Sequence, residues 1–186
     1  MPTMTDDQSR YAPPKATVAD PPTIEEAYFS VGALKLALMS LTTFGLYELY
    51  WFYRNWRFIR WREKSHISPF WRAFFGVLWT FSLGNRFRDD AKAQNISVTL
   101  PVVALGILYL ILSLTSSLPD PYWLLSLLSF LPLLPFDYAA RRLTGNGQLV
   151  EPTAGRYSGW NIAWLAIGSL FLVLIFAGTF LAEGAD

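Results

Sequence analysis

The sequence contains no cysteine and only one histidine, His66. Disulfide bonds, thiolate metal sites and cysteine nucleophiles are therefore excluded. Hydrolytic and transfer chemistry needs a nucleophile beside a base, or a set of metal ligands. A single imidazole among basic residues, followed by Ser68, supplies neither. We therefore predict no catalytic residues, no metal site and no cofactor, and we interpret the protein as non-enzymatic.

Charge is missing from two long apolar segments. Residues 100–118 and 160–181 contain no Asp, Glu, Lys or Arg. Each is close to the ~20 residues that a helix needs to cross the hydrocarbon core of a bilayer. The chain is 53% hydrophobic, and its apolar residues come in blocks rather than in amphipathic stripes. This pattern predicts an all-α integral membrane bundle.

The net charge of +1 conceals a segregation of acidic and basic residues along the chain. Residues 1–30 carry two basic and five acidic side chains, whereas residues 54–92 carry nine basic and three acidic ones. Basic residues flank membrane helices on the cytoplasmic side. The basic segments 54–92 and 137–156 are therefore predicted to lie inside, and both termini outside.

The most informative stretch is 43–64, TFGLYELYWFYRNWRFIRWREK. Aromatic residues are followed by basic ones, the order expected where a helix leaves hydrocarbon and reaches the headgroups. Each basic residue near an anionic surface contributes roughly 1 kcal/mol. Such a mixture also binds nucleic acid, but beside a membrane helix lipid is favoured and no nucleic acid is expected. The candidate lipid- or partner-binding residues are Arg54, Trp56, Arg57, Arg60, Trp61, Arg62, Lys64, Arg72, Arg86 and Arg88.

A single membrane domain is predicted for residues 28–182, with about four transmembrane helices and one short re-entrant or interfacial helix. The spans are expected at about 31–53, 100–118, 122–136 and 160–182. The short helix is expected at about 69–84, because its apolar part contains Arg72 and is too short to cross. Residues 1–27, rich in proline and acidic residues, are predicted to be a disordered tail, and 183–186 an acidic tail.

Two other topologies stay open at this stage. Gly45 can break the first apolar segment and fold it into a re-entrant hairpin, which places the N-terminus inside. Alternatively, residues 70–83 cross as a fifth span. In the third span, Pro132 and Pro135 remove helix donors, so a kink or an end is expected there.

Two ionisable residues, Lys35 and Glu48, fall within the first predicted span and form the candidate intramembrane polar site. A carboxylate near the bilayer centre costs at least ~2.5 kcal/mol, so such a residue is a functional candidate by default. Lys35 lies near the start of the span, where its ammonium reaches the interface. The competing interpretation places Glu48 at the interface, protonated or paired with a basic side chain.

The segments TFGLYELYWFYRNW, ISPFWRAFFGVLWTFSL, PDPYWLLSLLSFLPLLPFDYAARRL and YSGWN together resemble a group of small bacterial inner-membrane proteins of uncharacterised activity. The resemblance covers roughly residues 28–180, and TFGLY with YWFYRNW is its most specific part. It implies a multi-pass helical protein of the bacterial cytoplasmic membrane. It carries over no activity and no catalytic residues.

Together these observations predict a non-enzymatic module of the bacterial inner membrane, an accessory subunit or scaffold. Its aromatic and basic cytoplasmic surface is expected to engage anionic lipid headgroups, a membrane-protein partner or a second copy of the chain. The alternative is a small oligomeric component for ion or solute transport that uses Glu48. A lipid-modifying enzyme is a third, less favoured interpretation.

Overall fold

The computed structural model describes residues 27–183, with side chains as far as residue 178. In this part of the chain every regular element is helical, which confirms the all-α prediction. The two predicted tails lie outside the described residues, apart from residues 27 and 183. The α-helices are α1 (Ala33–Thr42), α2 (Leu46–Glu63), α3 (Pro69–Phe74), α4 (Gly76–Ala93), α5 (Val102–Leu114), α6 (Leu134–Thr144) and α7 (Gly159–Glu183).

The first apolar segment is a helical hairpin, so the prediction of one uninterrupted helix over 31–53 is wrong. The chain turns between α1 and α2, where Phe44 and Gly45 have φ values of 52° and 83°. The Gly45 N–H donates to the Ser40 carbonyl at 2.9 Å and closes the end of α1. A left-handed residue with such a hydrogen bond is a common helix stop, and glycine adopts it without strain. With ten residues, α1 is about 15 Å long, half of a bilayer core.

Both ends of the α1–α2 hairpin lie at the same end of the bundle. Tyr28, just before α1, packs its ring edge-on against Phe58 near the end of α2, with the centroids 4.7 Å apart. Arg62, one turn further on, lies 5.3 Å above the Tyr28 ring. The prediction that the first apolar segment starts on the side opposite the basic residues is therefore wrong, because the chain reverses at Gly45. We call the end where these residues meet the basic end.

The helix predicted over 69–84 is two helices, α3 and α4, separated at Phe75. α3 packs back along α2, and α4 then follows α2 in the same direction. Gly76 lies against the ring of Phe52, and the rings of Trp79 and Trp56 are 6.2 Å apart. This second hairpin also begins and finishes at the basic end, and α4 continues to Ala93.

α5 runs antiparallel to α4, with glycines at the contacts. A Cβ atom on Gly84 would lie 2.7 Å from Val102, and one on Gly106 would lie 2.4 Å from the ring of Phe81. Small residues allow helix backbones to approach this closely. A turn at 118–121 follows, and the chain returns as 3₁₀ helices (Tyr122–Leu128 and Leu131–Leu133) that become α6. Pro132 and Pro135 lie where the 3₁₀ geometry gives way to α-helix.

Two helical segments of the described chain are long and apolar enough to cross a membrane, Tyr122–Thr144 and Gly159–Gly178. The expected spans at 122–136 and 160–182 fall on these segments. Val102–Ser117 is shorter, and 31–53 is a hairpin, so the four-span bundle is not confirmed. α7 packs mainly against α1, and only 6% of its apolar segment is buried within the protein.

Candidate functional site

Residues 28–31 form an extended, buried segment at the basic end. The side-chain amide of Asn55, in α2, forms the pair of hydrogen bonds with the Phe29 backbone that the backbone of an adjacent β-strand would form. Its Oδ1 accepts the Phe29 N–H at 3.1 Å, and its Nδ2 donates to the Phe29 carbonyl, also at 3.1 Å. Asn55 is fully buried, and its amide also donates to the Trp51 carbonyl, so its hydrogen-bonding groups are used within the protein.

Asp137 of α6 holds the next part of the same segment. Its carboxylate accepts the backbone N–H groups of Val31 and Gly32, each at 2.9 Å, and the indole N–H of Trp51 at 3.2 Å. The side chain is only 2% exposed. Asp137 is thus the acceptor that joins α6, α2 and the start of α1. Arg141, one turn further along α6, donates from its Nε to the Val150 carbonyl at 2.8 Å.

The loop before α7 closes over the same segment. The Ser30 N–H donates to Thr153 Oγ1 at 2.9 Å, and the Ala154 N–H donates to the Ser30 carbonyl at 2.9 Å. Ser30 therefore bonds to this loop, and the N-cap position of α1 belongs to Gly32. Residues from four distant parts of the chain meet here and fix the basic end.

The outer edge of the basic end is formed by Tyr28, Arg62 and Asp90. The Tyr28 hydroxyl and the Arg62 guanidinium both donate to the Asp90 carboxylate. Arg62 also stacks 5.3 Å from the ring of Phe58. Burial, and then the hydrogen bond to Asp90, raise the pKa of Tyr28 above its usual range.

Tyr28→Phe should lower the free energy of unfolding by about 1.5 kcal/mol at neutral pH, because a hydrogen bond to a charged acceptor is lost. The folded protein holds the Tyr28 proton more tightly than the unfolded chain does, because its pKa is raised. That stability is present below about pH 10 and is lost as the pH rises beyond it. Unfolding measured against pH in detergent should therefore show a shallower alkaline decline for Tyr28→Phe than for the wild type. Parallel curves would contradict this role.

A cleft between α2 and the start of α3 gathers four of the predicted binding residues, Arg57, Arg60, Trp61 and Lys64. Its volume is about 630 Å³, and Tyr53, His66 and Phe70 complete much of its wall. None of its described lining residues is acidic. We call it the basic cleft. It has the chemistry of a headgroup site, with several cations beside aromatic rings.

The neighbouring face, along α2 and α4, is balanced in charge instead. Arg86 forms an ion pair with Glu63, and Arg62 forms one with Asp90. These side chains and Asp89 line a separate cavity on this face, with a volume of about 650 Å³. Arg88 is exposed and donates to Asn85 at 3.0 Å. The predicted binding surface is thus divided between this charge-balanced face and the basic cleft, whose described lining contains no acidic residue.

Two further predicted residues, Trp56 and Arg72, have a packing role. The Arg72 guanidinium lies between the rings of Trp56 and Trp79, at 4.4 Å and 4.3 Å from their centroids. Arg86 lies above Trp56 as well, at 5.6 Å. Trp56 is fully buried, so the prediction that it contacts lipid is wrong. Cation–π stacking joins α3 and α4 to α2 at this point.

The candidate polar pair, Lys35 and Glu48, makes separate contacts. The Lys35 ammonium donates to the carbonyls of Ala154 and Arg156, at 2.7 Å and 2.6 Å. Glu48 is 3% exposed and accepts a hydrogen bond from Ser129 Oγ at 2.7 Å. Each residue therefore joins two parts of the bundle. Lys35 joins α1 to the loop before α7, and Glu48 joins α2 to the 3₁₀ segment that leads into α6. Among the described residues, no three His, Asp or Glu side chains are arranged as metal ligands.

Asn55, Asp137 and Arg156 were missed by sequence reasoning. Asn55 is the one amide within an otherwise aromatic, basic and apolar stretch, WFYRNWRFI, and that isolation was a usable signal. Asp137 and Arg156 each have an oppositely charged residue nearby in the sequence, which explains them as members of local ion pairs. Nothing in the sequence therefore marked them as parts of a site. The chain matches no protein-family model, no curated protein and no solved structure. The resemblance to small bacterial membrane proteins therefore stays a prediction.

Proposed function

We propose that this protein is a non-enzymatic module of the bacterial cytoplasmic membrane that engages anionic phospholipid headgroups through the basic cleft. α7 and the Tyr122–Thr144 segment would cross the bilayer, and the α1–α2 and α3–α4 hairpins would enter it from the cytoplasmic side and return. This arrangement uses the exposed apolar surface of α7 and the aromatic surface of α3 and the turn after it, where Phe70, Trp71, Phe74 and Phe75 are exposed. It also brings the N-terminus inside, the topology that a break at Gly45 implies.

The observation that carries the proposal is the separation of charge between two adjacent surfaces. In the basic cleft, Arg60 and Lys64 line a cavity with no carboxylate among its described lining residues, whereas the α2–α4 face pairs its arginines with acids. Two cations near an anionic surface contribute about 2 kcal/mol, which is about thirtyfold in affinity. On the α2–α4 face, the acidic partners of Arg62 and Arg86 largely cancel the attraction of these arginines for an anionic surface.

Arg60→Gln combined with Lys64→Gln should lower the preference of the basic cleft for phosphatidylglycerol over phosphatidylcholine about thirtyfold, because two contributions of roughly 1 kcal/mol are lost. Native mass spectrometry of the full chain, titrated with each lipid in detergent, measures this ratio. The matched control is Arg88→Gln with Lys92→Gln, which removes the same charge from exposed positions of α4 outside the basic cleft. We expect the control to retain most of the preference.

Two results would count against the proposal. An equal loss in both double variants would show that net charge, rather than the basic cleft, determines the preference. An unchanged preference in the Arg60 and Lys64 variant would remove lipid headgroups as the ligand of this cleft. Purification from native membranes then separates the remaining possibility, since a protein partner would be retained by the wild type and lost from that variant.

A further inference from the structure

A further cavity lies between the α1–α2 hairpin and the first turns of α7. Its volume is about 480 Å³, within the range of small-molecule sites. It extends from the basic end, at Arg54 and Arg156, to the turn of the hairpin, at Thr43 and Leu46. The basic cleft lies elsewhere on α2 and shares none of these lining residues. We call this cavity the α7 groove.

Most of the surface of the α7 groove is apolar, although Thr43, Ser158 and Asn161 also line it, and the groove follows one face of α2. Leu46, Tyr50 and Arg54 follow one another at intervals of four residues and so form one face of α2. The distance along the helix from Leu46 to Arg54 is about 12 Å. Met39 of α1 and Trp164 of α7 line the same space. A linear hydrocarbon chain suits a groove of this length and lining better than a compact solute does.

The mouth of the α7 groove carries positive charge that is held in position. The Arg54 guanidinium lies 4.7 Å above the ring of Phe29 and gives one of its five N–H donors to the Tyr50 hydroxyl, at 2.8 Å. Arg156 lines the mouth from the other side. The Lys35 ammonium holds the Arg156 carbonyl at 2.6 Å, which fixes the loop that presents Arg156. A pair of guanidinium groups recognises phosphate well.

We infer that the α7 groove binds one anionic phospholipid, with an acyl chain between α2 and α7 and its phosphate at Arg54 and Arg156. This inference rests on the proposed membrane location but not on the basic cleft. A cationic mouth at the end of an apolar channel matches the two parts of such a molecule. A soluble anion would leave the channel unused, and an apolar protein segment would leave the two arginines without a counter-charge.

Native mass spectrometry of the detergent-solubilised chain tests the site. The first phosphatidylglycerol should bind more tightly than later ones. Leu46→Trp, which fills the channel, should weaken that first binding about tenfold, whereas Leu34→Trp, on an exposed position of α1 outside the groove, should not. Arg54→Gln with Arg156→Gln should weaken the first phosphatidylglycerol by a similar factor and leave phosphatidylcholine unchanged. The Arg60 and Lys64 variant should reduce only the later binding events.

Photocrosslinking identifies the occupant independently of how the variants fold. With p-benzoylphenylalanine in place of Trp164, irradiation of the purified protein should attach a phospholipid to the chain. The same group in place of Phe171, an exposed residue of α7 outside the α7 groove, should not. A crosslink at position 164 to a second copy or to another protein would overturn the inference. So would an unchanged first binding event in Leu46→Trp. Neither result would bear on the basic cleft.

Discussion

Asp137→Ala should lower the free energy of unfolding by about 4 kcal/mol. The carboxylate is 2% exposed and accepts three hydrogen bonds, from the N–H groups of Val31 and Gly32 and from the indole of Trp51. Without it, three donors are left in a buried site where water does not replace the acceptor. Asp137→Asn keeps one acceptor oxygen and should lie between Asp137→Ala and the wild type.

Denaturant unfolding in detergent measures this loss, and hydrogen exchange locates it. The Val31 and Gly32 amides should be protected in the wild type and should exchange much faster in Asp137→Ala. Asp89→Ala is the matched control, because Asp89 is an exposed acid on α4, and it should change the stability by no more than about 0.5 kcal/mol. Wild-type stability with unchanged exchange in Asp137→Ala would show that residues 28–32 are held by other contacts.

Gly168→Ala should destabilise the protein by about 3 kcal/mol through overpacking. A Cβ atom at this position would lie 2.0 Å from the Thr42 carbonyl oxygen and 2.7 Å from its carbonyl carbon. The obstacle is backbone at the end of α1, so no side-chain rotation relieves it and the helices must separate. Since α1 is the main packing partner of α7, this contact also sets the width of the α7 groove.

The control is a second glycine in the same helix. Gly178 has no neighbouring atom within 4 Å of a Cβ position, so Gly178→Ala should stabilise α7 by about 0.5–1 kcal/mol through helix propensity alone. Because the chain has no native cysteine, spin labels on Leu34→Cys and Ile162→Cys report the α1–α7 distance directly. This distance should increase in Gly168→Ala only. Equal effects of the two alanine substitutions would remove the close approach as an explanation.

A helix could be predicted from the sequence where a long apolar segment contained no charged residue. α7 matches its expected bounds to within about two residues, because a long uncharged segment has few alternatives to a helix. The cations of the basic cleft were predictable too. Arg57, Arg60 and Lys64 recur at helical spacing and so share a face of α2. Arg54 shares that spacing but lines the α7 groove, because Phe29 and Tyr50 hold its guanidinium there.

The break at Gly45 was only one of the open alternatives, because a glycine inside an apolar run is compatible with both a continuous helix and a stop. The burial of residues 28–31 had no local signal at all. Their partners are 26 residues away at Asn55 and 106 residues away at Asp137. The role of Arg72 was missed for the same reason, since Trp56 and Trp79 surround it only after α3 and α4 have folded against α2.

The amino-acid sequence by itself determined the helical class, the apolar α7 and the gathering of arginines beside aromatic rings. These properties depend on hydrophobicity and helical spacing, which act over a few residues. Only the tertiary structure decided that the first segment reverses, that residues 28–31 lie among the arginines, and which arginines pair with acids on the α2–α4 face. Those outcomes depend on which buried donor finds which acceptor and where a glycine lets two backbones touch, and such pairings join residues that the linear order keeps far apart.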